Sequence, residues 1–236
     1  MFLSLNTCGN TATVALGTAE PGASQVQILA TARLAMRTYA ARLVPEIAAM
    51  LESRQVSLAD IEAIVVVNGP GSFTGVRVGL STAKGMAEGG SIPLVAISRL
   101  ALLAGASGLP HVLAAVDAGR GAYYVGEYRK GEKVSEMLLS GEETVVAARR
   151  PGAGVLVCDE SNDAEVSAAN TSACAALAIC GPVYVQPPDA AEALRFALPR
   201  IRARAFDDAE TLQANYLRRS DAEVVRDAHA GVGASQ

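Results

Sequence analysis

Tryptophan is absent from this 236-residue chain, and four phenylalanines and six tyrosines are all the aromatic carbocycles it has. So thin an aromatic supply argues against a base-stacking surface. Histidine is nearly absent: only His111 and His229 can serve as an imidazole base. The first opens an expected strand and the second sits in an expected tail, and Ser72 lies in no GxSxG elbow, so serine or cysteine hydrolase chemistry is poorly supported. Of the four cysteines (Cys8, Cys158, Cys174, Cys180), none forms a CxxC pair or neighbours a histidine. That favours reduced, mostly buried thiols over disulfides or zinc. No long basic stretch appears and the net charge is −4, which argues against autonomous nucleic-acid binding. Two short clusters, Arg200/Arg202/Arg204 and Arg218/Arg219, read as solvated helix faces. A basic leader and long apolar segments are also missing, so the expected location is cytoplasmic, with no membrane association.

Half of the residues are apolar, enough for one large core or two modest lobes. Strands are expected over 2–7 and 11–16, joined by Cys8-Gly9-Asn10, and over 25–32. Leu43, Ile47, Met50 and Leu51 then fall on one helical face, with Pro45 near the first turn or kinking the helix. A strand over 64–67, a helix to about 88, a strand over 94–97 and a Ser98-capped helix over 100–104 complete the first half. A second series opens near His111 with strands over 111–117, 123–128 and 133–139. A short strand over 155–158, helices over 164–178 and 189–203 and a strand over 183–185 follow. Each half thus opens with three strands before its helices, an echo of architecture rather than of sequence. The expected organisation is a lobe over 1–108, a lobe over 109–221 and a flexible tail over 222–236.

The run Asn68-Gly69-Pro70-Gly71-Ser72-Phe73-Thr74-Gly75-Val76-Arg77 carries the most information. It joins an apolar strand to a small-residue helix, a geometry that aims backbone N–H groups at one spot and can hold a phosphate. It can equally be a turn forced by close packing. Gly69, Gly71 and Gly75 miss the GxGxxG spacing by one residue, and Gly75-Val76-Arg77 stands where a Walker A loop needs Gly-Lys-Ser/Thr. Gly75, Gly79 and Ala83 recur at a spacing of four in the helix, although an interior glycine costs about 1 kcal/mol. Close approach of another element explains that, either the protein's own sheet or a partner's helix. Phe73 is expected to anchor the loop in the core. Asp117 and Arg120 mark a second polar patch, where Asp117 accepting turn N–H groups is favoured over a metal or phosphate role.

Taken together, Asn68–Gly85, the run Asp117-Ala118-Gly119-Arg120-Gly121-Ala122-Tyr123 and the late Tyr216-Leu217-Arg218 resemble the bacterial TsaB (YeaZ) family, closely over residues 1–130 and loosely to about 219. The resemblance implies an α/β, two-lobed actin/Hsp70/sugar-kinase fold, each lobe with a βββαβα core. It implies a non-catalytic scaffold in making threonylcarbamoyladenosine at position 37 of ANN-decoding tRNAs. The partners it implies are the catalytic subunit TsaD and the ATPase TsaE, with tRNA met only through the complex and a homodimer when the chain is alone. No cofactor, metal or catalytic residue is expected. Tyr39, Leu43, Ile47, Gly75, Arg77, Gly79, Leu80, Ala83 and Lys84 become candidate partner-binding residues on helices 40–54 and 74–88. Asn6, Thr7, Gly69, Gly71, Ser72, Thr74, Asp117 and Arg120 become a candidate nucleotide- or anion-facing group. Three departures from the family pattern stand out: Asn6 replaces the usual Asp, Tyr39 a common His, and Gly119 an Arg. Related kinases organise Mg²⁺ with that acid, and an amide is a poorer ligand for a hard cation. An ATP-dependent phosphotransferase of the same superfold is the alternative.

Overall fold

The alternation of Leu3 and Leu5 with Phe2 and Ser4 gives the first strand, β1 (Phe2–Asn6), two different faces, and both are buried. A computed structural model of the protein describes residues 1–35, 39–158, 177 and 180–218. The expected helix over 164–178 (but for residue 177), the thiol of Cys174, and the tail over 222–236 with His229 lie outside the described residues, as does Arg219.

Around β1 the chain builds a five-stranded sheet. The hairpin partner β2 (Thr11–Thr18) is antiparallel to it, with Asn6 opposite Thr13 across the short Cys8-Gly9-Asn10 linker. Beyond β2 lies β3 (Gln27–Ala35), at the edge and half exposed, two residues later than expected. On the other side β4 (Ala63–Val67) and β5 (Leu94–Ile97) run parallel to β1. The order is therefore β3-β2-β1-β4-β5. The second sheet contains β6 (His111–Gly119), β7 (Ala122–Arg129), β8 (Glu132–Ser140), β9 (Gly154–Cys158) and β10 (Val183–Val185). Its order, β10-β9-β6-β7-β8, repeats the first plan strand for strand. The architectural echo in the sequence is thus an identical topology.

The five residues of β4 are entirely apolar and entirely buried, as parallel strands covered on both faces are. Two covers are needed. Leu3, Leu5, Ile64 and Val66 pack beneath α1 (Tyr39–Ser53) and α2 (Phe73–Gly90). Phe2, Ala63, Val65 and Val67 pack on α5 (Ala190–Arg202), which belongs to the second half of the chain. Conversely α3 (Arg99–Ala106), from the first half, covers β6 with Leu100, Leu103 and Ala104. The last helix of each half crosses to the other half's sheet. Leu194, Leu198 and Ile201 of α5 are buried there, each worth about 2 kcal/mol relative to exposure.

Local signals agree with these boundaries. Leu43, Ile47, Met50 and Leu51 form the buried face of α1, and Pro45 sits inside the helix. The Ser98 hydroxyl caps α3 by accepting from Leu100 N–H, and Asp189 caps α5 reciprocally with Glu192. The sequence reading gives no element to α4 (Gly141–Ala148), yet its start carries a capping box. The Ser140 hydroxyl accepts from Glu143 N–H, and the Glu143 carboxylate accepts from Ser140 N–H, the pattern that marks a helix N-terminus in sequence.

Gly79 settles how α2 meets its sheet. A Cβ there would stand 2.1 Å from Thr7 Oγ1, and that hydroxyl is fixed by donating to Gly75 C=O at 2.6 Å. Close approach to the protein's own β1–β2 turn explains this glycine. Gly79→Ala is expected to destabilise the fold by about 1–3 kcal/mol through overpacking, read as a lower urea midpoint.

Glu127, only 4% exposed, gathers Arg129, Arg150 and His111. Burial opposes its ionisation, but hydrogen bonds from Arg129 and His111 and the charges of Arg150 and Arg129 outweigh it, and the carboxyl titrates below the ordinary glutamate range. A depressed native pKa stabilises the fold above the unfolded pKa of about 4.3 and loses that contribution as pH falls through the native value. Glu127→Gln should therefore be less stable than wild type near neutrality, with the gap closing below about pH 4. Urea midpoints of both proteins at the two pH values read this out.

Candidate functional site

Where the two sheets face each other the chain leaves a cleft of about 710 Å³. One wall is the 68–72 loop with Cys8-Gly9-Asn10, the other is the β6–β7 turn, and the mouth is closed by the segment 215–218.

The glycine loop is bound mainly to its own protein. Ser72 N–H donates to Cys8 C=O at 2.8 Å, and Arg99 N–H donates to Gly69 C=O at 2.7 Å. The Ser72 hydroxyl caps α2, accepting from Gly75 N–H. A Cβ at Gly71 would lie 2.2 Å from Cys8 C=O, so this glycine is demanded by backbone packed on backbone. Of the two readings left open by the sequence, the close-packed turn accounts for Gly71, Ser72 and Gly75. Thr74 is exposed on the first turn of α2.

Asn6 is 4% exposed, and both ends of its amide are engaged. Nδ2 donates to Pro188 C=O at 2.7 Å, and Oδ1 accepts from Cys8 N–H at 3.1 Å. One neighbour only accepts and the other only donates, which fixes the amide's orientation. The side chain ties the β1–β2 turn to the segment leading into α5. A carboxylate could not replace it, because Pro188 C=O needs a donor.

On the opposite wall, Asp117 Oδ1 accepts from Gly119 N–H at 2.7 Å, the turn role favoured from sequence. Arg120 and Gly121 form the two-residue connection, both at positive φ (57° and 74°), which suits the twist of a tight hairpin. For arginine that conformation is strained. Burial holds the nearby Tyr124 hydroxyl above the ordinary tyrosine range, against an opposing pull from Arg218.

At the mouth, Arg77 Nε donates to the Tyr216 hydroxyl at 2.9 Å, and its guanidinium lies 3.8 Å from the centre of the Phe73 ring. Phe73 and Tyr216 stand 5.1 Å apart and are 42% and 44% exposed. Phe73 is thus no core anchor: as the first residue of α2 it points outward, where a cation and a second ring cover it. Sequence reading gave no site role to Tyr216, Asn215 or Tyr124, because only the fold brings the 215–218 segment to residues some 140 positions earlier.

The remaining candidates separate cleanly. Leu43, Ile47, Gly75, Gly79, Leu80 and Ala83 are buried within their own lobe, Arg77 is exposed at the cleft, and Lys84 is half-buried. Tyr39 opens α1, and its side chain lies outside the described residues. The outward face of α1 and α2 instead carries Ala41, Val44, Ala48, Ser81 and Gly85, with Val44 58% exposed. Of the arginine clusters, Arg202 and Arg204 are exposed as expected, while Arg200 donates to Ala96 C=O, Ala205 C=O and Asp207 and Arg218 to Gly119 C=O. Among the described residues no group of three His, Cys, Asp or Glu side chains is placed to hold a metal, and no helix is long and apolar enough to cross a membrane.

Asn6→Asp should cost about 1–3 kcal/mol by setting a buried carboxylate against Pro188 C=O. The loss, read by urea denaturation, is expected to persist when millimolar MgCl₂ is added.

Comparison with known proteins fits this geometry. A family model described as "TsaD: tRNA N6-adenosine threonylcarbamoyltransferase" matches residues 30–154, just over half of the chain. The tRNA threonylcarbamoyladenosine biosynthesis protein TsaB of Escherichia coli K12 is 40% identical over 115 residues, covering 47% of this chain and 48% of that protein. The chain spans about half the length of the curated relatives it matches. The solved structure of YeaZ from Pseudomonas aeruginosa superposes with a TM-score of 0.68 at 27% identity, covering 92% of this chain and 99% of that one. Component A of (R)-2-hydroxyglutaryl-CoA dehydratase from Acidaminococcus fermentans superposes with a TM-score of 0.50 at 13% identity over 86% of this chain and 98% of that one, a likeness of fold alone. The two repeated mixed sheets and these neighbours give the expected two-lobed actin/Hsp70/sugar-kinase fold. The chain belongs to the family that the threonylcarbamoyltransferase model describes, and within it to the TsaB (YeaZ) group.

Proposed function

We propose that this chain is a non-catalytic scaffold subunit in the biosynthesis of tRNA threonylcarbamoyladenosine. Its partners in this reading are the catalytic subunit TsaD and the ATPase TsaE, and it meets tRNA, in the cytoplasm, only through the complex. The names of its relatives support the pathway. The observation that carries the non-catalytic role is Asn6: its amide is consumed at both ends by backbone groups, in the turn where a related kinase would present an acid. The contact surface is the outward face of α1 and α2, where Ala41, Val44, Ala48, Ser81 and Gly85 form a strip of small and apolar residues between the exposed charges of Glu52, Arg77 and Glu88, on which two helices of a partner can lie close. The same strip serves a homodimer when the partner is missing. Leu43, Ile47, Gly75, Gly79, Leu80 and Ala83 act behind it by holding the helices in place, and Arg77 and Lys84 flank it.

The volume of the cleft and the arginines along it (Arg77, Arg120, Arg218) favour the phosphotransferase alternative. Against it stands the missing acid at Asn6. Calorimetry showing micromolar Mg-ATP binding to the isolated chain would revive that reading.

Ala48→Glu with Ser81→Glu places two charges on the strip without touching the core. In a reconstituted modification reaction, tRNA threonylcarbamoylation should fall more than about tenfold while the unfolding free energy from urea denaturation stays within about 0.5 kcal/mol of wild type. Full activity with the double variant would refute the assigned surface.

A further inference from the structure

Three donors from three segments of the chain meet on one carboxylate. Glu136 lies on β8 and is half-buried. Its Oε1 accepts from the Ser98 hydroxyl, at the cap of α3, and from the Tyr128 hydroxyl of the adjacent strand. Its Oε2 accepts from the Asn215 side-chain amide at 2.7 Å. Hydrogen bonds to an ionised acceptor are about twice as strong as neutral ones. Tyr128 remains a donor throughout the physiological range, because burial, and then the bond to Glu136 and its charge, push its hydroxyl far above the ordinary tyrosine value.

Asn215 belongs to the segment 207–217, which follows α5 and returns to the first sheet as a strap. At its start Asp207 N–H donates to Leu94 C=O at 2.8 Å, and the Asp207 carboxylate accepts from Ala96 N–H and pairs with Arg200. At its end Asn215 N–H donates to Asn68 C=O at 2.8 Å, Asn68 Nδ2 donates to Gln213 C=O at 3.2 Å, and the Tyr216 hydroxyl receives Arg77 Nε–H at 2.9 Å. The strap therefore touches β5, the glycine loop and α2. Among the described residues its side-chain hydrogen bond to the second sheet is Asn215 to Glu136, beside the packing of Leu217 on that sheet's apolar core.

We infer that Glu136 is a clasp between the lobes: it pins the strap and the start of α3 to the second sheet, and through Asn215 and Tyr216 it sets the position of Arg77 on α2. Two lobes joined through crossing helices can hinge about them, and this carboxylate opposes that movement at the cleft. The inference does not depend on the scaffold reading, since it concerns how the chain holds its own lobes.

Amide hydrogen exchange followed by NMR on the full chain tests it. Glu136→Gln keeps an acceptor for the two hydroxyls but turns an NH₂ toward the NH₂ of Asn215. Exchange of Asn215 N–H should accelerate about tenfold, the Arg77 Nε–H signal should broaden, and the amides of β1 and β4 should keep wild-type protection. Glu136→Gln with Asn215→Asp exchanges donor and acceptor and should restore both signals. Tyr128→Phe removes one donor, serves if the first variant fails to fold, and should give a smaller acceleration at the same amide. Unchanged protection of Asn215 in Glu136→Gln, or in Tyr128→Phe where that variant stands in, would overturn the clasp. So would acceleration that the exchanged pair does not reverse.

Discussion

A sheet whose central strands are apolar on both faces must be covered twice, and this one constraint organises the molecule. Leu3, Leu5, Ile64 and Val66 need one cover, and Phe2, Ala63, Val65 and Val67 another. The chain supplies the first at once, with α1 and α2. The second arrives more than a hundred residues later, as α5, after a full repeat of the same topology has been built. Reciprocal covering by α3 and α5 draws the two sheets together and so creates the cleft. It also explains Asn6: the chain entering α5 must be fastened to the β1–β2 turn, and the amide bridging Pro188 C=O and Cys8 N–H does so.

The cleft retains the outline of a ligand site, but the groups of the glycine loop and the β1–β2 turn are used within the chain. Ser72 N–H, Gly75 N–H and the Asn6 amide all bind the chain itself, and Asp117 holds its own turn. Exposed are the Phe73–Arg77–Tyr216 group at the mouth, Asn10 and Arg120 along the walls, and the strip of small and apolar residues on α1 and α2. Polar groups satisfied internally rigidify a fold, and a rigid frame with an open helix face suits a protein that works by holding another. The two-lobed fold serves many chemistries, so these sites and not the fold carry the function.

Much of this was legible in the sequence. Periodicity located α1, an apolar run located the buried strand β4, and Ser98 marked its helix through capping chemistry that depends on neighbours only. The missed helix α4 had its own signal, Ser140 and Glu143 three residues apart. Long-range consequences were hidden. Nothing local to Gly79 says that Thr7 lies 2.1 Å from its absent Cβ, and the spacing of Gly75, Gly79 and Ala83 fits a partner's helix as well as the protein's own turn. Phe73 misled for a related reason: an aromatic beside a glycine turn is commonly core, and its cover, Tyr216, comes from the other end of the described chain. Which helix crosses to which sheet is likewise a tertiary matter that no window of sequence contains.

Light scattering coupled to size-exclusion chromatography, on this chain mixed with TsaD from the same organism, tests the central claim most directly. The account predicts a stable species with the summed mass of one copy of each, formed at the expense of any homodimer. Two folded proteins that elute separately at their own masses, at concentrations well above micromolar, would contradict it.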